Sequence, residues 1–465
     1  MKLLMILSLL AAISSAAAPK NILLICIDDL RPELNAFGAD YIQSPNIDQL
    51  AQVGRPFHRH YVNAPSCGSS RFTMLTGRYG SPGNDALFKR AHQYADDPAS
   101  VPPSMPEWFR KNGYTTVSVG KVSHHPGGLG GSDWNDESKI ELPNGWDRYL
   151  MPCGEWQHPR GAMHGLSNGQ TRTRKNYPAL ESVEGPDTLY PDGLIADEGM
   201  RQLEELASSE KPFFLAIGLI KPHLPFGAPA QYMKPYKDLS LPPIPHPEKP
   251  QGRTTWHSSG EMFGRYDHGG LDPRNDAAYA DRVRRHYAAC VTYADKHVGD
   301  IMSTLRKSGA DKNTIVILWG DHGWHLGEHG IWGKHALFEE SLRSPLIVYV
   351  PGMEKPGIKT EAVVSTLDLF PTLCDLTKVP VPDFITGESL SPMIKNPDTA
   401  GHIAYSYWGD KITLRTDTHR MILHRKDGFV ELYDHTTPDK ETVNIAAEHP
   451  DLVAELKSQL EAMRK

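Results

Sequence analysis

The chain has 465 residues and a formal net charge of −7, with 39% hydrophobic and 23% charged residues. This is the composition of a globular protein long enough for one large core and a smaller domain. The mild acidity gives no reason to expect a nucleic-acid partner, which would require a basic face.

The chain begins with MKLLMILSLLAAISSAAAPK, in which one lysine precedes an apolar run and then small residues. This pattern predicts a signal peptide over residues 1–18. The apolar run is shorter than the ~20 residues that cross a bilayer, and no later stretch qualifies. We therefore expect a secreted or periplasmic protein without stable membrane insertion.

Short apolar runs predict buried strands. They are NILLICI from residue 21, TTVSVG from 115, FFLAIGLI from 213, TIVILWG from 314 and PLIVYV from 345. An apolar stripe over residues 276–306 predicts a long helix. Strands alternating with helices indicate an α/β fold with a large, mostly parallel sheet flanked by helices.

Two later regions differ from this pattern. Residues 226–275 are rich in Pro, Gly and His, which predicts a long loop over one face. After residue 395, short alternating runs and a final helix from Pro450 predict a smaller C-terminal α+β subdomain with an antiparallel sheet. We place the catalytic domain at 19–395 and the subdomain at 396–465.

Charged or imidazole side chains follow four of the predicted strands. Open α/β sheets bind ligands beyond the carboxyl ends of their strands, and uncompensated charges gathered there would be costly. We therefore expect a site at this edge. Its candidate residues are Asp28, Asp29, Lys121, His124, His223, Asp321, His322 and Lys334.

These residues divide by chemistry. Asp28, Asp29 and Asp321 supply three hard carboxylates, which suit Ca²⁺ or Mg²⁺, and His322 would be an unusual fourth ligand. The lysines and the other histidines form a positive shell. A metal within such a shell is suited to a tetrahedral phosphate or sulfate ester.

Cys67 stands in APSCGSSRFTMLTGR, a polar segment that predicts an exposed loop. The five cysteines are widely spaced without a C-x-x-C pair, which argues against a disulfide scaffold or zinc knuckle. Arg71 is closer to Cys67 than the spacing of a cysteine phosphatase requires. The thiol therefore needs another explanation.

CGSSR followed by FTMLTGR resembles the signature of the type I sulfatases. IDDLRPELNAFG, SVGKVSHH, KPHLPF and DHGWHLGEHGIWGKH also match, so the resemblance covers roughly residues 20–440. Within the family it is most similar to the iduronate-2-sulfatase branch, with Asp-His at residues 321–322 where many sulfatases have Asp-Asn. The resemblance implies an alkaline-phosphatase-like (sulfatase) fold.

It also implies the role of each residue. A formylglycine-generating enzyme would oxidise Cys67 to Cα-formylglycine, whose hydrate supplies one hydroxyl to attack sulfur and a second to release the sulfate. One Ca²⁺ would be bound by Asp28, Asp29, Asp321, His322 and formylglycine 67. Arg71 and Lys121 would position the formylglycine, with His124, chosen over His125 on spacing, hydrogen-bonded to it. His223 and Lys334 would bind sulfate and assist the departing alcohol.

The implied substrate is a sulfated oligo- or polysaccharide. Ser69 stands where the family more often has Pro, which keeps the non-catalytic alternative open. Separately, Lys89, Arg90 and His92 are either sugar contacts or a solvated charged loop. The alternatives are a phosphomonoesterase or phosphonate hydrolase of the alkaline phosphatase superfamily, and a non-catalytic glycan-binding pseudo-sulfatase.

Overall fold

The computed structural model describes residues 20–130, 136–172 and 177–462. The signal peptide predicted over 1–18 lies outside this part of the chain. Among the described residues, no helix is both long and apolar enough to cross a bilayer.

The described residues form sixteen strands and twelve α-helices. The strands are β1 Asn21–Ile27, β2 Arg55–Tyr61, β3 Thr115–Gly120, β4 Arg148–Leu150, β5 Leu180–Val183, β6 Phe213–Leu219, β7 Phe226–Pro229, β8 Thr314–Gly320, β9 His325–Leu326, β10 Trp332–Gly333, β11 Leu346–Tyr349, β12 Thr360–Ser365, β13 Ala404–Trp408, β14 Lys411–Arg415, β15 His419–His424 and β16 Val430–Asp434. The helices are α1 Pro45–Val53, α2 Cys67–Thr76, α3 Ala86–Asp96, α4 Met105–Lys111, α5 Pro159–Met163, α6 Pro191–Ala207, α7 Gly260–Arg265, α8 Ala277–Lys307, α9 Glu339–Leu342, α10 Leu369–Thr377, α11 Ser391–Lys395 and α12 Pro450–Ala462.

A large sheet of eight strands has the order β12-β2-β11-β8-β1-β6-β3-β4. Its pairs are parallel except for those that β11 makes with β2 and β8. The prediction of a mostly parallel sheet is confirmed, and all five predicted strands and the long helix α8 are present.

The two faces of the sheet are covered by different hydrophobic clusters. In β1, Leu23 and Ile25 join one cluster with α1, α6 and α8, whereas Ile22 and Leu24 join the other, with α4 and α10. Burial on both faces explains why β1 is continuously apolar instead of alternating.

The C-terminal region forms the predicted antiparallel sheet, in the order β13-β14-β15-β16. Helix α12 packs on it through the buried side chains of Leu456 and Leu460. The domain boundary at residue 396 stays a prediction. Residues 226–275 are mainly irregular, as expected, but they include β7 and α7.

The parallel strands bring the predicted site together. The backbone N–H of Asp321 donates to Ile27 (3.2 Å), and that of Lys121 donates to Gly218 (2.8 Å). A side chain at position 218 would place a Cβ 2.1 Å from the carbonyl group of Lys121. Glycine therefore lets the chain after β3 cross closely over β6.

Candidate active site

Cys67 is the first residue of α2 and its side chain is buried. The exposed loop expected for it is therefore wrong: small residues at the start of α2 let the helix pack tightly, and Gly68 lies against the backbone of Asn84. The Cys67 thiol nevertheless lines a cavity of about 530 Å³. The thiol is thus held at the start of helix α2 and faces the cavity.

Basic and acidic side chains surround the Cys67 sulfur. Nε2 of His322 lies 3.2 Å from Sγ, Nζ of Lys334 lies 3.3 Å from it, and Nζ of Lys121 lies 4.0 Å from it. Sγ is 3.8 Å from a carboxylate oxygen of Asp29. The charged residues predicted at the sheet edge therefore meet around this one atom.

Arg71 is fully buried and connects several strand ends. Its Nε donates to Asp321 (3.0 Å), and one terminal nitrogen donates to Asp28 (3.1 Å). The other terminal nitrogen donates to the backbone carbonyls of Lys121 and Val122. Arg71 thus fixes the residues that follow β1, β3 and β8.

The three carboxylates are in different electrostatic states. Burial opposes ionisation of Asp28, but the charges of Lys121 and Arg71 outweigh it and hold its pKa well below the usual value. Burial raises the pKa of Asp321 to about 7, with the charge of Asp28 adding to the effect. Burial likewise raises the pKa of Asp29, although the charge of Lys334 opposes this.

These residues fit a hard divalent cation. Candidate ligand atoms of Asp28, Cys67, Asp321 and His322 all lie within 4.8 Å of one another, and Asp29 belongs to an overlapping group. Oδ2 of Asp29 is buried without a hydrogen-bond partner in the described chain. A cation bound here would relieve the carboxylate repulsion and satisfy that oxygen.

Backbone contacts set the tautomers of two histidines. Nδ1 of His322 donates to the carbonyl of Gly323 (2.9 Å), and Nδ1 of His223 donates to that of Leu224 (2.5 Å). Each Nε2 therefore carries the lone pair. Burial lowers the pKa of both imidazoles well below the usual value, so both are neutral in this state.

The cavity is lined by Cys67, His124, His223 and Lys334, all predicted from the sequence. His124, not His125, lines it, because His125 turns to pair with Glu141 (2.9 Å). Lys89 pairs with Asp85 (3.2 Å) at the surface, and Arg90 donates to the carbonyl of Pro102. Neither lines this cavity.

Several cavity residues were not predicted, because they come from loops, from the short helices α5 and α7 and from the C-terminal sheet. They are Asn84, Arg160, Met163, His164, Arg172, His257, Ser259, Gly260, Glu261, Arg265, Gly333, His335 and Trp408. Trp408, at the end of β13, stacks on His335 with ring centroids 4.7 Å apart and planes 12° from parallel. His335 lies in a motif quoted for the family resemblance, but the loop residues carry no comparable signal.

Comparison with known proteins identifies the family. A family profile described as "Sulfatase" matches residues 20–379, and one described as "N-sulphoglucosamine sulphohydrolase, C-terminal" matches residues 327–465. The chain belongs to the sulfatase family. It is therefore a sulfuric ester hydrolase by family.

The chain is similar to mouse (Mus musculus) iduronate 2-sulfatase, with 32% identity over 404 residues that cover 79% of this chain and 70% of the relative. Among solved structures, it resembles a protein in complex with its substrate D-glucosamine-2-N,6-O-disulfate, with a TM-score of 0.71, 22% identity, and 96% and 97% of the two chains covered. It also resembles a phosphonate monoester hydrolase of Agrobacterium radiobacter, with a TM-score of 0.74 and 21% identity. That match covers 96% of this chain and 95% of the hydrolase chain. The structural matches confirm the alkaline-phosphatase-like fold.

We expect Arg71→Lys to lower both the free energy of unfolding and the activity. Lysine keeps the charge but cannot reproduce the planar set of donors that reaches two carboxylates and two carbonyls. One unsatisfied buried group lowers the free energy of unfolding by about 1–3 kcal/mol. Denaturant unfolding measures this, with Arg78→Lys, at an exposed site, as the control. Equal stability of Arg71→Lys and wild type would contradict the role assigned to Arg71.

Proposed function

We propose that this protein is a Ca²⁺-dependent sulfatase that hydrolyses a sulfate ester of a glycan and uses formylglycine made from Cys67. The observation that carries the proposal is the position of Cys67, at the floor of the cavity, within reach of both Lys334 and His322. A formylglycine-generating enzyme is the partner required for maturation.

The state of Cys67 favours a precursor over a thiolate nucleophile. Burial raises the pKa of this thiol well above the usual value, and the charge of Asp28 adds to the rise despite the nearby lysines. A protonated thiol is a poor nucleophile. When formed, the hydrated formylglycine supplies a hydroxyl nucleophile and a second hydroxyl that permits release of sulfate.

Calcium would be held by Asp28, Asp29, Asp321 and His322, together with position 67. A bound cation of this kind polarises an ester oxygen and lowers the pKa of a coordinated hydroxyl. Arg71 and Lys121 keep the Asp28 carboxylate ionised and in place for this task.

Lys334 and His223 bind the sulfate and supply a proton to the departing sugar. Burial disfavours the charge on Lys334, but the charges of Asp29 and Glu261 outweigh it and hold its pKa well above the usual value. Lys334 therefore stays cationic and can bind a sulfate oxygen. His223 is neutral before substrate arrives, and the negative sulfate would raise its pKa, so that Nε2 can protonate the departing sugar oxygen.

The cavity walls favour an anionic glycan over a small aryl sulfate. Arg160, Arg172 and Arg265 line the space beyond the sulfur, which provides guanidinium groups for further carboxylates or sulfates. The stacked pair of Trp408 and His335 gives an aromatic surface for a sugar ring. The similarity to iduronate 2-sulfatase supports the same substrate class.

A second candidate function is hydrolysis of a phosphate or phosphonate ester. It is supported by the similar fold of the phosphonate monoester hydrolase. Both reactions require stabilisation of a tetrahedral oxyanion, so the fold does not distinguish them. A non-catalytic glycan-binding role is the third candidate, and it requires that Cys67 is never converted.

Cys67→Ala should abolish sulfate release by protein co-expressed with a formylglycine-generating enzyme. Alanine provides neither the thiol precursor nor a nucleophile. Sulfate and phosphate are followed by ion chromatography over a panel of sulfated oligosaccharides, including iduronate 2-sulfate termini. Cys153→Ala, outside the cavity, should retain wild-type activity. Wild-type sulfate release by Cys67→Ala would refute the mechanism, and phosphate release by it would favour the second function.

Asp321→Asn should lower calcium content and sulfate release together, since it removes an anionic ligand but preserves size. Metal content per chain is measured by elemental analysis after dialysis against Ca²⁺. Asp417→Asn, at an exposed surface site, is the matched control. Unchanged calcium binding by Asp321→Asn would mean that the ion is held elsewhere.

Arg172→Gln should raise KM for a multiply sulfated oligosaccharide by about 10-fold or more. This is the loss of affinity expected when one hydrogen bond to a charged group is removed. Steady-state kinetics on that substrate and on a small aryl sulfate separate glycan binding from chemistry. Arg201→Gln, exposed on α6, is the control. An equal loss on both substrates would contradict a role for Arg172 in glycan recognition.

A further inference from the structure

A second group of metal-binding side chains lies outside the proposed calcium ligands. It comprises His325 on β9, His329 in the following turn and Glu340 on α9, and their candidate ligand atoms lie within 4.8 Å of one another. The His325 side chain is fully buried, that of His329 is 3% exposed and that of Glu340 is 21% exposed. None of the three has a role in the reaction proposed above.

Two facing atoms in this group, Nε2 of His325 and Oε2 of Glu340, are buried without a hydrogen-bond partner in the described chain. Nδ1 of His329 is also unpaired, but it is Nε2 of this residue that faces Glu340. Buried polar atoms are almost always paired, and each exception requires an explanation. Oε2 of Glu340 faces both imidazoles only at ion-pair distances, so a bound metal would replace a loose ion pair with direct ligand bonds.

The spacing of these atoms suits a shared metal ion. Oε2 of Glu340 lies 3.4 Å from Nε2 of His325 and 3.6 Å from Nε2 of His329. Two ligands at ~2.1 Å from a tetrahedral zinc ion are about 3.4 Å apart. The distances are therefore too long for good hydrogen bonds but appropriate for atoms on either side of zinc.

The surroundings of His325 also match those of a metal ligand. Its Nδ1 donates to the carbonyl of Gly333 (3.3 Å) and contacts Oγ of Ser341 (3.0 Å). This leaves the lone pair on Nε2, which faces Glu340. Metal-binding histidines usually donate their other ring N–H to a carbonyl in this way.

We propose that His325, His329 and Glu340 bind a zinc ion separate from the proposed calcium site. Two imidazoles and one carboxylate form a ligand set typical of zinc and poorly suited to calcium, which prefers oxygen. The ion would join α9 to the β9–β10 hairpin. Lys334 directly follows this hairpin, so zinc would stabilise the segment that carries it.

The test uses full-length Cys67→Ala protein in excess Ca²⁺. The substitution removes the active-site thiol that could bind zinc, and Ca²⁺ occupies the proposed calcium site. Isothermal titration with Zn²⁺ should give one ion per chain. His325→Gln and Glu340→Gln, each added to this background, should weaken Zn²⁺ binding by more than about 100-fold. Adding Asp321→Asn or exposed His449→Ala to the same background should leave Zn²⁺ binding unchanged.

A second measurement guards against misfolded variants. Zn²⁺ should raise the midpoint temperature of thermal unfolding of the Cys67→Ala protein but not that of folded His325→Gln. Co²⁺ should give the visible absorption of a four-coordinate ion only when His325 is present. Absence of Zn²⁺ uptake, or equal uptake by His325→Gln, would overturn the proposal. Loss of uptake in Asp321→Asn but not in Glu340→Gln would assign the ion to the active site instead.

Discussion

The buried guanidinium of Arg71 is the interaction on which the active site depends. It joins the carboxylates that follow β1 and β8 to the backbone that follows β3, so three strand ends are fixed by one side chain. Without it, Asp28 and Asp321 would be buried close together without sufficient compensation, and burial of unpaired charge strongly destabilises a fold. Arg71 lies one helical turn after Cys67, so the same contacts also fix the start of α2.

This arrangement explains how a hydrophobic sheet carries so many charges at one edge. The three acids are matched by Arg71, Lys121 and Lys334, and the pKa values of the acids diverge because each has different neighbours. Calcium would add positive charge beside the acids, and a negative sulfate ester would add negative charge beside Lys334. The proposed chemistry thus places each incoming charge next to residues of opposite sign.

The sequence predicted the sheet and the floor of the site because both follow from local patterns. Continuous apolar runs such as residues 21–27 identify doubly buried strands, and the residues after them must meet at one edge when the strands are parallel. The cavity walls were not predictable in this way. Arg160, Arg172 and Trp408 reach the site through tertiary packing of α5, of a loop and of the C-terminal sheet. The helical start at Cys67 was also missed, since Gly and Ser suggest a loop unless their close packing against Asn84 is known.

In the proposed mechanism, Cys67 is a precursor and not itself the reactive group. The most direct measurement is the mass of the peptide containing residue 67, taken from enzyme that is actively releasing sulfate. We expect a lighter peptide, in which an aldehyde replaces the thiol, in proportion to the active fraction. An unmodified thiol in fully active enzyme would contradict the precursor role.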